Sequence, residues 1–302
     1  MVGKDVNKPS RDEVPELGGI AALFGFSISL SIIVGVQKMV GSIAELPYLA
    51  VISVFFIAAM VGLIDDISNI PQRLKVVGVA FAALPLMLVH LGTEIVFPLG
   101  YTIALAGTTY FAYWLALVPV GVSGVANAMN MSAGYNGLES GQVVIVSCAM
   151  LGILFTRGGP DYSVIILGAL VGAALGLYAF NRYPARVFVG DIGTLGMGAA
   201  LAGAIILGHI ETYGLIAIMP AFYEGFATAY YSLVKKVKNR RFACHHPVIG
   251  PDGKLQPPGG AERYTLAYLI LSKRPMTERR LVRTLFCLYA TSGLVAVSLS
   301  IL

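Results

Sequence analysis

Charge is what this 302-residue sequence has least of: 12% of its residues are Asp, Glu, Lys or Arg and 57% are hydrophobic, for a mean hydropathy of +0.78. An ordinary soluble domain carries about 25% charged residues, so soluble Rossmann, barrel and sandwich folds are excluded. Cysteine is scarce too. Cys148 and Cys287 sit in apolar runs and Cys244 in a basic loop, which leaves no disulfide framework and no metal-knuckle spacing. Polar stretches long enough to fold apart from the apolar runs are lacking, so a single domain over 1–302 is expected. The polar first seventeen residues and the apolar run behind them show no cleavage-site pattern, so no secretory signal is expected.

What is present is a series of uncharged apolar runs. Nine candidate spans cover 18–37, 47–64, 76–91, 108–126, 142–156, 162–180, 192–208, 213–234 and 284–302, and the reading is an all-α polytopic membrane protein. Several runs fall short of the roughly 20 residues a perpendicular helix needs, so they must draw in flanking residues or tolerate a thinner bilayer. With the segment 1–17 placed in the cytoplasm, Lys38 and Arg157 are the two of twenty-one basic residues that fall outside, as the positive-inside rule requires. The net charge of +5 then reflects topology and a surface for anionic headgroups or phosphates, and nothing points to nucleic acid. The one sizeable polar segment, 235–283, falls on the same side. Within it, Gly250-Pro251-Asp252-Gly253 predicts a hairpin turn, and 264–271 is too short to span and predicts an interfacial helix. In the sixth span Gly168, Gly172 and Gly176 recur every four residues and predict close approach by another helix.

Polar residues that are not basic gather at the cytoplasmic ends of the spans. Asp65 and Asp66 end the second, Asn127, Asn130, Asn136 and Glu139 follow the fourth, and Asp191 lies between the sixth and seventh. Adjacent acids at a helix end are often only solvated charges. Here they have partners: Asn130 and Asp191 carry hard oxygen donors of the kind magnesium takes, and Lys75 stands nine residues beyond Asp66. Such a set suits phosphate transfer, in which a metal and an ammonium neutralise phosphate charge while a carboxylate orients or deprotonates the attacking group. His245 and His246 beside Cys244 are contiguous and lack a second ligand pair, which argues against zinc. Glu224 is the one acid deep within a span and is expected to face the bundle or a cavity.

The strings GLIDDISNIPQRLK (62–75), NAMNMSAGYNGLESGQ (127–142) and NRYPARVFVGD (181–191) closely resemble three cytoplasmic motifs of the polyprenyl-phosphate N-acetylhexosamine-1-phosphate transferases. They are most similar to the eukaryotic and archaeal branch, which acts on UDP-N-acetylglucosamine and dolichyl phosphate. KDVNKPSRDEVPE (4–16) resembles the cytoplasmic segment behind that branch's first helix, so nine of the family's ten helices are expected here. In Ala243-Cys244-His245-His246-Pro247 the sequence matches neither the arginine- and histidine-rich stretch of the eukaryotic enzymes nor the histidine cluster of the bacterial ones.

The resemblance implies transfer of a HexNAc-1-phosphate from a UDP-sugar to a membrane-embedded polyprenyl or dolichyl phosphate, with release of UMP. It implies magnesium, or manganese in its place, on Asn130 and Asp191, phosphate contact by Lys75, and an acidic pair in Asp65 and Asp66, with Asp65 orienting or deprotonating the acceptor phosphate. For the donor it implies Val6, Glu16, Asn127, Gly134 and Asn136, with Phe188 as the stacking surface for uracil, although Phe188 alone would read as an interfacial anchor. Arg241, His245 and His246 are expected near the sugar or pyrophosphate. Membrane lipid and a second copy of the chain are the implied partners, and in a prokaryote the membrane would be the plasma membrane. A bacterial-type transferase acting on UDP-N-acetylmuramoyl-pentapeptide is the alternative among enzymes. A secondary transporter is the alternative outside them, but it should place ionisable residues at mid-membrane and show related halves.

Overall fold

A computed structural model describes residues 1–10, 12–41, 45–89, 94–238 and 240–302, apart from the side chains of Leu233 and Arg241. Among the described residues eight helices are long and apolar enough to cross a membrane. They are α1 (Gly19–Val40), α2 (Glu45–Ser68), Gln72–Val89, Thr108–Met131, α6 (Leu138–Arg157), α7 (Asp161–Asn181), α8 (Gly190–Leu207) and α13 (Glu278–Ile301). Within them, Gln72–Val89 is α3 (Gln72–Phe81) followed by a 3-10 turn that contains Pro85. Thr108–Met131 is α4 (Thr108–Ala112), one wider turn, and α5 (Val118–Met131).

The eighth expected span, 213–234, is helical but is not one continuous helix. It forms α9 (Glu211–Ala217) and α10 (Met219–Ala229), interrupted at Ile218. Pro220 lies in the first turn of α10, where its missing N–H falls among groups that have no intrahelical partner. The polar segment then supplies α11 (Arg240–Cys244) and α12 (Leu266–Lys273). The segments around residues 65–75, 130–139, 181–191 and 235–278 come together at one cavity.

The organising element is α8. Every residue from Ile192 to Leu207 is buried, and α8 packs against α1, α2, α5, α6 and α7. Its small residues explain the fit, because helix association in lipid depends on close van der Waals approach. A Cβ built on Gly198 would lie 2.8 Å from the Ala126 Cα, and one on Gly62 of α2 would lie 2.3 Å from the Asp191 carbonyl oxygen. The latter contact brings the acidic end of α2 onto the start of α8.

The glycines of α7 behave otherwise. Gly168, Gly172 and Gly176 are exposed, and no atom of another described segment would come within 4 Å of a Cβ there. The expected close approach is absent within the chain because α7 turns Ile166, Leu167, Leu170, Ala174 and Leu177 inward instead.

Among the described residues there are three two-stranded antiparallel sheets. β1 (Val2–Lys4) pairs with β2 (Glu13–Pro15), β3 (Glu94–Val96) with β4 (Thr102–Ala104), and β5 (Val248–Ile249) with β6 (Leu255–Gln256). The last is the predicted hairpin, closed by Gly250 N–H to the Lys254 carbonyl at 2.8 Å with Gly253 at φ +69°. The segment 264–271, too short to span, forms the short helix α12, which packs against α10, α13 and β6 and buries Ala267, Tyr268 and Leu271.

Candidate active site

Four transmembrane segments meet at one lysine. The Lys75 ammonium, on α3, donates to Asp65 Oδ2 of α2 at 2.8 Å, to Asn130 Oδ1 of α5 at 3.1 Å and to Asp191 Oδ2 of α8. Asn130 turns its amide nitrogen to Asp191 Oδ1 at 2.8 Å and to Thr194 Oγ1 at 2.7 Å. Lys75 is 2% exposed and Asp65 4%, so the pair is buried, whereas the Asp191 side chain keeps 28% of its surface open. Two carboxyl groups thus face one ammonium.

The two adjacent acids have separate surroundings. Asp65 lies behind Lys75. Asp66 accepts the backbone N–H of Asp191 at 3.0 Å and of Ile192 at 3.1 Å, so it caps the start of α8 from a different helix. Gly190 precedes them at φ +71°, and a Cβ there would lie 2.9 Å from Asp66 Oδ2. Glycine is required both for the turn and for the approach of the carboxylate.

A second polar network fixes the loop between α5 and α6. Glu278, the first residue of α13, accepts through Oε1 from Asn136 N–H at 2.8 Å, Asn136 Nδ2 at 2.7 Å and Asn7 Nδ2 at 3.1 Å. Asn136 Nδ2 also donates to Asp5 Oδ2 at 3.0 Å, and its Oδ1 accepts from Ala185 N–H at 2.7 Å. Gly134, at φ +114°, is held by its N–H on Glu139 Oε1 at 2.8 Å and by its carbonyl, which accepts from Asn7 Nδ2 at 2.6 Å. The N-terminal hairpin is joined in turn to the stretch before α8, since Phe188 N–H donates to the Pro15 carbonyl and Gly18 N–H to the Phe188 carbonyl, both at 2.8 Å.

These groups surround one cavity of about 570 Å3. Of the expected site residues, Val6, Glu16, Asp66, Lys75, Asn130, Gly134, Asn136, Phe188, Asp191, His245 and His246 line it, and Glu139 and Glu224 do as well. Asp65 and Asn127 are not on its wall. Asn127 folds back on its own helix and donates to the Ser123 carbonyl at 2.9 Å. The His245 ring comes close to Gly134, while His246 is exposed and stacks on Phe242 with ring centroids 3.9 Å apart. The side chain of Arg241 lies outside the described residues. Residues that the sequence reading did not single out also join the site: Thr194 under Asn130, Asp5, Asn7 and Glu278 around Asn136, and Thr228, Arg240 and Thr265 on the loop side. Thr194 could have been found from its spacing, one helical turn beyond Asp191.

The bundle of apolar helices, with a buried acid–lysine–amide cluster beside a cavity, describes a polytopic membrane protein with a candidate site at one end. Residues 48–209, from α2 to just beyond α8, match the model of glycosyl transferase family 4, and the chain belongs to that family. A protein of Saccharolobus solfataricus named as a UDP-N-acetylglucosamine–dolichyl-phosphate N-acetylglucosaminephosphotransferase is 34% identical over 229 residues, covering 74% of this chain and 68% of its own. One of Methanocaldococcus jannaschii, named as a glycosyltransferase, is 30% identical over 303 residues, covering 99% and 88%. A phospho-N-acetylmuramoyl-pentapeptide-transferase of Desulforudis audaxviator is 30% identical over 224 residues, covering 67% and 65%.

Proposed function

We propose that this protein transfers N-acetylglucosamine-1-phosphate, or a close HexNAc-1-phosphate, from a UDP-sugar to a polyprenyl phosphate such as dolichyl phosphate. The observation that carries the reading is the Lys75–Asp65–Asn130–Asp191 cluster on a polar cavity whose walls come from the segments that resemble the transferase motifs. The names of the archaeal relatives support the same donor and acceptor. An oxygen of the acceptor phosphate attacks the sugar-bearing phosphorus of the donor, the pyrophosphate P–O bond breaks, and UMP leaves with the electron pair. Because one anion attacks another, repulsion must be suppressed before proton transfer matters.

Asn130 and Asp191 fit a divalent metal such as magnesium, since both present oxygen donors and both already turn an oxygen toward one cation, the Lys75 ammonium. Bound there, the metal would supply charge neutralisation at the pyrophosphate. Lys75 does the same with its own charge, and Asp65, buried against it, holds the ammonium in place rather than meeting the acceptor directly. Asp66 positions Asp191 by fixing its backbone N–H. Val6, Gly134, Asn136, Glu16 and Phe188 form the nucleotide wall, with the Phe188 ring available to stack on uracil. We place the cavity on the cytoplasmic side, because that orientation puts nineteen of twenty-one basic residues inside.

Purified protein given radiolabelled UDP-N-acetylglucosamine, magnesium and polyprenyl phosphate should release UMP and move label into lipid. Label that stays with the nucleotide overturns the proposal. Transfer from UDP-N-acetylmuramoyl-pentapeptide alone would change the donor and leave the chemistry standing.

A further inference from the structure

Glu224 is a charged residue on the cavity wall to which the proposed reaction gives no task. It belongs to α10, is 4% exposed, and faces the loop side of the cavity. Its Oε1 accepts the N–H of Leu266, the first residue of α12, at 2.8 Å. Among the described residues no hydrogen bond reaches Oε2, and that oxygen is not sealed from the cavity. Thr228, Ser232, Thr265 and Arg240 share this part of the wall. Arg240 is itself fixed, donating to Thr228 Oγ1 at 2.9 Å and to the Tyr264 carbonyl at 2.6 Å, and its charge offsets that of Glu224 without an ion pair between them.

A buried carboxylate with a free oxygen repels a phosphate, and it is a strong acceptor for uncharged groups that donate hydrogen bonds. In the proposed reaction the phosphates have a partner of their own in the Lys75 ammonium. The geometry points to Glu224 as a specificity-determining residue whose Oε2 accepts a hydrogen bond from a hydroxyl or amide N–H of the sugar on the donor nucleotide. This inference rests on the proposed function, because it takes the ligand to be a sugar nucleotide.

Titration calorimetry with UDP-N-acetylglucosamine and with UDP separates the two ideas. The wild type should bind the sugar nucleotide more tightly than UDP. Glu224→Gln keeps an acceptor for the Leu266 N–H but loses the carboxylate, so it should lose about tenfold or more in affinity for the sugar nucleotide and keep its affinity for UDP. In turnover the loss should appear as a raised donor KM. Should the Gln variant fail to fold, Glu224→Asp is read in the same way. Equal losses for both ligands would make Glu224 only a brace for α12 and overturn the inference, and so would no loss for either. A wild type that transfers nothing from any UDP-sugar defeats the proposed function itself, a result separable from all of these.

Discussion

The helix-borne cluster and the loop-side wall face the same cavity, but they use their polar atoms differently. In the cluster, side chains on α2, α3, α5 and α8 bond one another, and their positions are set by helices packed through small residues. On the loop side, Glu224 and Arg240 bond the backbone of residues 264 and 266, so their grip defines where a loop lies. Chemistry that tolerates no misplacement is built on rigid elements, while recognition that must admit a substrate is built on a segment held by a few hydrogen bonds.

The largest expected effect would break this contrast at its centre. Asp191→Ala removes an oxygen donor from the cluster while Lys75 keeps Asp65, so the bundle should stay folded and turnover should fall by about 100- to 1,000-fold. EDTA should silence the wild type to a similar degree. Undiminished transfer in either assay removes the metal assignment. Lys75→Ala is predicted to cost turnover and stability together, because it strands the buried Asp65: roughly 3–5 kcal/mol for a broken buried pair, read as a lower unfolding midpoint in detergent. A variant with full activity would reduce Lys75 to a charge that sets topology.

A milder test concerns Glu278, which holds the proposed nucleotide wall through Asn136 and Asn7. Glu278→Gln keeps an oxygen that accepts all three N–H groups and should leave the donor KM within a few-fold of wild type. Glu278→Ala leaves those donors unpaired at about 1–3 kcal/mol each and should raise the KM well beyond that. If the two variants behave alike, the network does not set donor affinity. His245→Ala should raise the donor KM by a smaller factor, since His245 is exposed and only borders the cavity.

How much of this is legible in the sequence follows from how each part is built. Asp65, Asp66, Lys75, Asn130 and Asp191 can be read because each is a polar residue at the edge of an apolar run, and alternation of the helices brings those edges together. Helix identity is legible for the same reason, yet the break at Ile218 is not, because hydropathy averages across Pro220. Glu278 is invisible as a partner of Asn7, since a bond across 271 positions follows no local period. The division of labour between Asp65 and Asp66 is hidden as well. Neighbours in sequence point to different sides of a helix, and the packing of α8 decides which becomes a cap. The α7 glycines show the converse, a pattern that predicts contact and meets none within the chain.

The smallest effect reports on the loop side alone. Cys244 closes α11 and lines the cavity, and burial pushes its thiol up to about 11, with Arg240 pulling it down and Glu224 reinforcing the rise. Only the thiolate reacts, so a raised pKa means less reactive sulfur at any pH below it. At pH 8 about one thiol in a thousand would be ionised, against about one in four for an ordinary cysteine of pKa near 8.5. In a background where Cys148 and Cys287 are serine, maleimide labelling of Cys244 should be slow at pH 8 and should quicken about tenfold per unit as the pH climbs toward 11. Because Arg240 lowers this pKa, Arg240→Gln should slow labelling further if the loop stays in place and speed it if the loop opens. Labelling at the rate of a free thiol in the parent background would mean that the wall around Glu224 is not closed, and the contrast between a rigid cluster and a held loop would lose its second half.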